Sequence, residues 1–304
     1  MRKTVLIVGA SSFVGSNLVE ALRDDFRLVG THHDTPVRVP GMLSIPMDVH
    51  RKEYVNRLIA VLRPDFTIYL AGLSSLAACH AKPKLADAMN SAGLINVCAS
   101  AERFGSKFVF ISSSYVLGGE NIVYRESDTP FPLTVYGASL ASSEFYVQKS
   151  CLNYIILRSC PLYGRSFHPT RRNWFEVLEG QIARQPITAD DHVTHGYLDV
   201  QLLGRVLKHA LNENVTNRLF QISSRDVMSR YEFARLYCKL FRRDENLISR
   251  GQWPFQLDQN QARIGRPVEK PRFHMDVSNA EQFFNLRFPS VEESLFATKK
   301  RLAG

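Results

Sequence analysis

The feature that most constrains the fold is a short apolar run that leads directly into a glycine-bearing turn and then into a helical pattern. The run is Thr4–Val8, and the turn covers residues 9–15 with glycine at both ends. The first glycine permits a tight turn, and the second permits close packing of the helix on the strand. The helix start aims backbone N–H groups and the positive end of its dipole at a pyrophosphate. This order of strand, turn and helix predicts a dinucleotide-binding site, against the plainer alternative of an ordinary glycine-rich turn.

Residues 1–164 alternate short apolar runs with amphipathic segments. Continuous apolar strands that alternate with helices are typical of a parallel sheet covered on both faces. We therefore predict an α/β fold with a doubly wound parallel Rossmann sheet, whose ligand crevice lies at the carboxyl ends of the strands. The predicted strands are Thr4–Val8, Arg27–Thr31, Phe66–Leu70, Lys107–Ser112 and Tyr154–Arg158, and the predicted helices are Val14–Arg23, Arg51–Leu62, Lys84–Phe104 and Tyr136–Gln148.

The alternation breaks down after Gly164. We predict one strand there and, over Ser249–His274, an irregular loop rich in Gly, Pro, Gln and Arg. Because no low-complexity linker separates the two parts, we expect residues 1–164 to form an NAD(P)-binding Rossmann domain and residues 165–304 a small C-terminal substrate-binding lobe packed on it. The strand is Arg218–Ser223, and the helices are Asn173–Ala183, Val200–Leu211, Arg230–Phe241 and Val291–Lys300.

Composition excludes several classes of protein. Of 304 residues, 45% are hydrophobic, which is ordinary for a soluble globular chain, and no apolar run approaches the ~20 residues of a membrane span. The net charge of +9 is dispersed without long runs of one sign, so we expect no nucleic-acid partner. The five cysteines form no CxxC pair, which favours reduced thiols in the cytoplasm. The histidines have no metal-ligand spacing, so we predict no metal.

The end of the second predicted strand bears on the choice of cofactor. An acid there would hold the ribose hydroxyl of NAD, but the strand ends in His32 and His33. These histidines and Arg38 suit the 2′-phosphate of NADP, although plain solvent exposure is an equal alternative. Asp48 follows another short strand and is placed either to bond an adenine amino group or to cap a helix. We expect NADP or NAD, with a weak preference for NADP.

Short motifs follow one another along nearly the whole chain. They are residues 9–15, Met47-Asp-Val49, Arg63-Pro-Asp65, Leu70-Ala-Gly72, Asn90, residues 108–116, Tyr136-Gly-Ala-Ser139, Glu144, Leu157-Arg158, Tyr163-Gly164, Arg266-Pro267 and Met275-Asp-Val277. Their order and spacing resemble the extended short-chain dehydrogenase/reductases of the NAD-dependent epimerase/dehydratase superfamily. The resemblance is closest to the branch of the dTDP-4-dehydrorhamnose reductases.

The resemblance implies three catalytic side chains, one of which is missing here. Tyr136 would transfer a proton, and Ser113 would hydrogen-bond the same substrate oxygen. The family has a lysine four residues after the tyrosine, where its charge lowers the tyrosine pKa and its amine holds the ribose. Leu140 occupies that position. Lys149 points to the opposite face of the helix, roughly 13 Å further along, so it is no substitute. Arg158 and His80 remain candidates for the role.

The other site residues are carried over from the same resemblance. Cofactor contacts are expected from Gly9, Ser11, Ser12, Phe13, Val14, Gly15, His32, His33, Asp48, Val49, Leu70, Ala71, Gly72, Asn90, Ser112, Tyr136 and Pro161. Substrate contacts are expected from Ser113, Ser114, Asn173, Trp174, His195 and Arg266, with Arg171, Arg172, Tyr197 and Arg263 as further candidates. Ser12 replaces the middle glycine of the family turn, and Trp174 has an equal claim to be a core residue.

Two function hypotheses follow. The first is an NAD(P)-dependent reductase or epimerase that acts on a nucleotide-linked sugar in polysaccharide synthesis, with an atypical active site. The second is a catalytically impaired regulatory subunit that keeps the nucleotide-binding shell. A third, weaker alternative is different chemistry, such as elimination, on a bound NAD(P). Relatives pair through two helices, so a homodimer formed by the Lys84–Phe104 and Tyr136–Lys149 helices is expected from the resemblance.

Overall fold

The computed structural model describes residues 2–120, 122–167, 172–253 and 268–303. Its strands are β1 Thr4–Val8, β2 Arg27–His32, β3 Met42–Pro46, β4 Phe66–Tyr69, β5 Lys107–Ser113, β6 Val123–Tyr124, β7 Tyr154–Ser159, β8 Leu162–Tyr163, β9 Ile187–Asp190, β10 Thr194–His195, β11 Leu198–Asp199, β12 Arg218–Ile222, β13 Met228–Ser229, β14 Ile248–Gly251 and β15 Arg272–Met275. Its α-helices are α1 Phe13–Leu22, α2 Lys52–Leu62, α3 Leu76–Ala81, α4 Pro83–Asp87, α5 Gly93–Arg103, α6 Val135–Ser150, α7 Trp174–Ile182, α8 Val200–Asn212, α9 Arg230–Phe241, α10 Ser278–Phe284 and α11 Val291–Ala303.

A seven-stranded parallel sheet forms the centre of the molecule. Its order is β3-β2-β1-β4-β5-β7-β12, and every pair in it is parallel. The predicted doubly wound Rossmann sheet is thereby confirmed. The chain order reverses between β1 and β4, and in open parallel sheets a ligand crevice lies outside the carboxyl ends of the strands at such a point.

The strands of this sheet are covered on both faces. Every residue of β1 and β4 is buried, which matches their continuous apolar sequences. Helices α1 and α8 pack against each other, and a second group is formed by α2, α5 and α6, each in contact with the next. The single glycine of α8, Gly204, allows this approach, since a Cβ there would lie 2.7 Å from the Cβ of Ala21.

A second, smaller core lies beside the main one. Three small sheets, β13-β10-β15-β6, β11-β8 and β14-β9, complete the structure, and their buried residues are divided between the two cores. Tyr163, Phe175, Tyr197 and Phe233 are fully buried at the centre of the second core. The two parts interleave, because β12 lies beyond residue 164 in sequence and yet forms the edge of the large sheet beside β7.

Two predicted elements differ from the structure. The helix predicted over Lys84–Phe104 is divided into α4, one π-helical turn at Ala88–Ala92, and α5, and Pro83 opens the first of these pieces. The loop predicted over Ser249–His274 includes parts of two strands, β14 and β15, at its ends. Both strands pair with distant segments, β9 and β6, so local composition carried no signal for them.

Three global features complete the description. In the described part of the chain, no helix combines the length and apolarity needed to cross a bilayer. The same residues contain no cluster of three or more His, Cys, Asp or Glu side chains arranged to hold a metal ion. All five cysteines are buried free thiols.

Candidate functional site

The glycine turn after β1 lies at the point where the strand order reverses. Gly9 adopts φ +88°, and a Cβ on it would lie 2.8 Å from the amide nitrogen of Ala71, after β4. A Cβ on Gly15 would lie 2.5 Å from the carbonyl oxygen of Gly9. Both contacts are to backbone that cannot move aside, so both positions require glycine. Ser11 is buried within the same turn.

Helix α1 begins inside this turn and presents free backbone donors. The Ser12 side chain is the N-cap and accepts a hydrogen bond of 2.9 Å from the N–H of Gly15. The N–H groups of Phe13 and Val14 have no acceptor within the described ranges, as expected at a helix start. Two free donors and the positive end of a helix dipole form a cradle that suits a pyrophosphate. Ser12 therefore caps the helix, a role that could not be predicted from its place as the substitute for the middle glycine of the family turn.

The loop after β4 forms the other wall of the crevice. Leu70 and Ala71 are half-buried and Gly72 is exposed. A Cβ on Gly72 would lie 2.5 Å from Oδ1 of Asn90. The Asn90 amide is already engaged, because Oδ1 accepts from the N–H of Leu73 and Nδ2 donates to the Leu73 carbonyl and to Ser139 Oγ. Asn90 therefore holds the loop in place with its side chain.

Directly after β2, the side chains of His33 and Asp34 contact each other, and the sequence analysis did not predict this pair. His32 is half-buried with Nδ1 2.8 Å from Ser44 Oγ, whereas His33 is exposed and lies 2.8 Å from Asp34. Asp34 is the acid nearest to this strand end and directly follows His33. Its side chain is 84% exposed, so it is accessible to a ribose, and the preference for NADP does not follow from an absence of acids here.

Asp48 and Val49 follow β3 on the same side of the sheet. The Asp48 carboxylate accepts a hydrogen bond of 2.9 Å from the N–H of His50, and this bond holds the pKa of Asp48 below its usual range. Asp48 therefore caps the turn that precedes α2. Val49 is buried, and its carbonyl accepts from the Asn96 side chain.

The candidate catalytic pair joins the end of β5 to the start of α6. Ser113 is the last residue of β5, and its side chain accepts a hydrogen bond of 3.3 Å from the N–H of Tyr115 and lies near the hydroxyl of Tyr136, in the first turn of α6. Burial raises the pKa of Tyr136 to about 12, nearby Cys79 adds to the rise, and the Ser113 hydroxyl partly opposes it. The neighbouring hydroxyls of Ser112 and Ser114 are buried and lack a hydrogen-bond partner among the residues described.

No cation takes the place of the missing lysine in the described structure. Leu140 is only 6% exposed and belongs to the main core. Lys149 is exposed and lies over the Phe145 ring, which confirms that it faces away. Arg158 is buried and paired with Glu144, with Nη2 2.8 Å from a carboxylate oxygen, and His80 is exposed. Among the residues that the structure describes, none with a positive charge contributes to the pKa of Tyr136.

A line of rings runs from Tyr136 toward the second core. Its centroid separations are 6.0 Å from Tyr136 to Tyr115, 4.8 Å from Tyr115 to His195, 6.4 Å from His195 to Tyr197 and 5.5 Å from Tyr197 to Trp174. His195 is buried against Phe273 at 4.6 Å, and burial lowers its pKa to about 3, so it is neutral at ordinary pH. Both His195 ring nitrogens and the Tyr197 hydroxyl lack partners in the ranges described.

Arg230 is a candidate that the sequence analysis missed. It is exposed at the first position of α9, and its guanidinium carbon lies 4.9 Å from the centroid of the Trp174 ring. After burial, its positive charge is the next largest influence on the pKa of His195, Tyr115 and Tyr197, and it acts to lower each of them. The sequence carried no signal for it, because an arginine one residue after a capping serine resembles any surface residue.

The remaining predicted substrate residues have structural partners. Asn173 forms a capping box with Glu176 at the start of α7 and donates to the carbonyl of Gly164. The indole N–H of Trp174 donates to the carbonyl of Leu162 at 2.8 Å. Pro161 is half-buried after β7, and Arg172 is exposed. The candidates Arg171, Arg263 and Arg266 lie outside the described residues.

The site therefore has three parts. They are an anion cradle at residues 9–15, a hydroxyl pair formed by Ser113 and Tyr136, and an aromatic wall, which is the row of mostly buried rings from Tyr136 to Trp174 that ends at Arg230. The chain is also similar to known proteins over almost all of its length. The chain matches the RmlD substrate binding domain family over residues 2–303. It is 25% identical over 299 residues to the probable low-salt glycan biosynthesis reductase Agl14 of Haloferax volcanii, covering 96% of this chain and 95% of that protein.

Two further similarities bear on function and fold. Over 112 residues the chain is 31% identical to methionine adenosyltransferase 2 subunit beta of Rattus norvegicus, which covers 37% of this chain and 34% of that protein. The fold superposes with a TM-score of 0.81 and 21% identity on dTDP-4-dehydrorhamnose reductase from Bacillus anthracis str. Ames in complex with NADP, covering 99% and 100% of the two chains. Because the family match spans nearly every residue, this chain belongs to the RmlD substrate binding domain family.

Proposed function

We propose that this protein is an NAD(P)-dependent reductase that acts on a nucleotide-linked sugar. The observation that carries the proposal is the position of Ser113 at the end of β5, the strand next to β4, with Tyr136 of α6 beside it, at the carboxyl edge that also holds the Gly9–Gly15 turn. The similar Haloferax protein is named as a glycan biosynthesis reductase, and the similar Bacillus structure is a sugar-nucleotide reductase with NADP.

The residues of the crevice fit a dinucleotide. The N–H groups of Phe13 and Val14 would hold the pyrophosphate, and the Gly9 and Gly15 backbone leaves room for it. His33 and Asp34 stand where a 2′-phosphate or a ribose hydroxyl would be recognised, so we propose NADP or NAD, with a preference for NADP that rests on the similar reductase. When bound, the nicotinamide supplies the hydride.

The ionisation of Tyr136 favours reduction over the reverse reaction. With a pKa of about 12, Tyr136 is protonated at neutral pH and is ready to donate its proton to a carbonyl oxygen that is gaining negative charge. Ser113 lies near the tyrosine hydroxyl and would hydrogen-bond the same substrate oxygen. Oxidation of a hydroxyl needs the phenolate, which is present in only about one molecule in 10⁵ at pH 7. An epimerase needs both directions, so a reductase is the better match.

Arg230 and the aromatic wall supply the substrate side. The wall begins at Tyr136 and ends at Trp174 beneath the exposed Arg230 guanidinium, so a substrate that spans them presents a neutral sugar at one end and an anion at the other. A guanidinium binds phosphate oxygens through paired hydrogen bonds. We propose that Arg230 binds the diphosphate of the nucleotide sugar and that the half-buried Tyr136 and Trp174 contact the sugar nucleotide, supported by ring contacts with the buried His195 and Tyr197.

The coarser organisation of the protein follows from the same proposal. Residues 1–164 would act mainly as the cofactor domain and residues 165–304 as the substrate lobe, with β12 shared between them. We also propose a cytoplasmic enzyme that forms a homodimer through α5 and α6, where Ile95 and Phe145 are exposed apolar side chains. A light-scattering mass near 34.5 kDa at micromolar concentration would contradict the dimer.

The first test is a titration of the purified protein with NADPH and with NADH, followed by nicotinamide fluorescence. We expect saturable binding with a Kd of about 1–100 μM for at least one of them. The titration is then repeated with Gly15→Ala as the non-binding control. Absence of binding by the wild-type protein up to millimolar cofactor would refute the oxidoreductase proposal.

A regulatory subunit is the second candidate, and the surroundings of Tyr136 favour it. Leu140 stands where the resemblance expects the charge that activates the tyrosine, and over 112 residues the chain is similar to a protein named as a subunit, methionine adenosyltransferase 2 subunit beta. Binding of NADPH without hydride transfer to dTDP- or UDP-linked keto-sugars would support this candidate over the reductase.

A further inference from the structure

Two of the five cysteines face each other across a helix interface. Cys98 lies in α5 and Cys151 immediately follows α6, 53 residues apart in sequence, with their sulfur atoms 2.7 Å apart. Both residues are buried, and the two helices pack against each other. The main core of the protein encloses the pair.

The other three cysteines have no such neighbour. Cys79 donates to the carbonyl of Leu73, Cys160 contacts the carbonyl of Pro161, and Cys238 is buried in the second core. Among the cysteines, all of which fall within the described ranges, only Cys98 and Cys151 are recorded in sulfur–sulfur contact. The contact is therefore a specific feature of the α5–α6 interface.

The geometry is close to that of a cross-link. A disulfide has a sulfur separation of about 2.05 Å, so the two sulfurs need to approach by less than 1 Å. Cys151 is the C-cap of α6, with an extended backbone and its N–H bonded to the carbonyl of Val147, so only the end of the helix has to shift for the sulfurs to meet. Neither residue belongs to the nucleotide crevice or to the Ser113–Tyr136 pair, so their oxidation does not consume a site residue.

We propose that Cys98 and Cys151 form an intrachain disulfide that ties α5 to the end of α6 in the folded protein. With a small disulfide such as oxidised glutathione, the Cys151 thiolate attacks one sulfur and releases one glutathione thiol. The Cys98 thiolate then attacks the Cys151 sulfur of the mixed disulfide and releases the second thiol. The protein loses two protons and two electrons, and the oxidant gains them as two thiols.

The reaction is expected to be slow. Hydrogen bonding to Cys151 and burial raise the pKa of Cys98, so little thiolate is present at neutral pH. Access is through Cys151, which lies next to the exposed Leu152 and becomes reachable when the end of α6 frays. The bond should therefore form over hours, faster at higher pH, and persist once formed.

The test uses the full-length wild-type chain oxidised with excess oxidised glutathione and then freed of reagent. We expect the intact mass to fall by two hydrogens, and unreduced peptide mapping to show the Cys98 peptide joined to the Cys151 peptide. Cys98→Ala and Cys151→Ala should each abolish the mass loss, whereas Cys238→Ala should retain it. The oxidised protein should melt at or above the temperature of the reduced protein, because the cross-link restrains the unfolded chain.

Three outcomes would overturn the proposal. The first is an unchanged mass or a glutathione adduct that does not resolve in the wild-type protein. The second is a cross-link that joins any other pair of cysteines. The third is an oxidised protein that melts below the reduced one, which would mean that the fold does not accommodate the bond. Peptide mapping of the wild-type protein decides the matter even if an alanine variant fails to fold.

Discussion

The nucleotide turn and the neighbourhood of Tyr136 lie on the same edge of one sheet, yet they follow the family pattern to different degrees. The turn keeps both glycines that its backbone requires, and Ser12 replaces the middle glycine while serving as a helix cap. The Tyr136 site keeps its hydroxyl pair but has Leu140 in place of a cation. A backbone-built cradle tolerates side-chain change, whereas charge-based activation of a tyrosine depends on a single residue.

This difference also explains how the loss of the lysine was accommodated. Leu140 is one turn along α6 from Tyr136 and packs into the main core, and Glu144, one turn further, is paired with Arg158. A leucine at this buried position adds apolar contact and leaves no charge without a partner. The fold therefore accepts leucine at position 140, although a lysine there is expected to change the ionisation of Tyr136.

Removal of the Tyr136 hydroxyl is expected to have the largest effect. Tyr136→Phe should lower the rate of keto-sugar reduction by about 10²–10⁴-fold, the usual contribution of a general acid. Cofactor affinity should fall far less than the rate, because the pyrophosphate cradle is formed by residues 9–15 and Tyr136 is only one of the expected cofactor contacts. Tyr146→Phe, on the same helix but away from Ser113, is the matched control. Steady-state kinetics and the NADPH titration measure the two effects separately, and equal loss in both variants would argue against a role for Tyr136.

A substitution in the turn tests the other half of the comparison. Gly15→Ala places a Cβ 2.5 Å from the Gly9 carbonyl oxygen, so we expect about 1–3 kcal/mol of destabilisation and loss of NADPH binding. Gly180→Ala is the control, because its Cβ would meet nothing nearer than 3.9 Å and it lies within helix α7. That control should still bind NADPH, and its free energy of unfolding should rise by about 0.5–1 kcal/mol. Urea unfolding measures the stability and fluorescence titration the NADPH affinity. A Gly15→Ala protein that binds NADPH as tightly as the wild type would contradict the proposal that this turn holds the cofactor.

Restoration of the charge should have a smaller effect. In Leu140→Lys, a cation near Tyr136 favours the phenolate and lowers the tyrosine pKa, so oxidation of the sugar alcohol should rise about tenfold for each unit of pKa lost. In the wild-type protein, protonated Tyr136 persists until the pH rises through about 12, so reduction should not lose this proton donor between about pH 6 and pH 9. The pH–rate profiles of both directions measure this.

Leu140→Met, similar in volume and uncharged, is the control for that substitution. A wild-type enzyme that is already active and gains nothing from Leu140→Lys would mean that another group supplies the charge. A wild-type protein without turnover that becomes active in Leu140→Lys would instead support the regulatory candidate.

The smallest effect is expected on the substrate side. Arg230→Ala should weaken binding of a dTDP- or UDP-linked sugar by about tenfold, because the site loses one guanidinium that contacts phosphate. Arg235→Ala, on the same helix but paired with Glu245, should change little. Calorimetric titration of sugar nucleotide into the NADPH-loaded protein measures this, and unchanged affinity in Arg230→Ala would remove Arg230 from the site.

Several parts of the site were readable from sequence because they are local. The turn at residues 9–15 and the Tyr136 to Leu140 spacing depend on residues close together in the chain, whose helix geometry is fixed. Asn90 was identified, but its engagement with Leu73 and Ser139 was not, since those contacts arise only when the loop after β4 folds against α6. Asp34 was not predicted because it lies two residues beyond the end of β2, outside the strand whose last residues carry the sequence signal.

The sequence by itself determined the strand, turn and helix of the nucleotide site, the parallel sheet and the absence of the lysine at position 140. These follow from local periodicity and residue identity. The tertiary structure decided the raised pKa of Tyr136, the pairing of Arg158 with Glu144, the meeting of Arg230 with Trp174 and the contact of Cys98 with Cys151. Each of these depends on burial or on a contact between segments distant in sequence, and packing alone sets both.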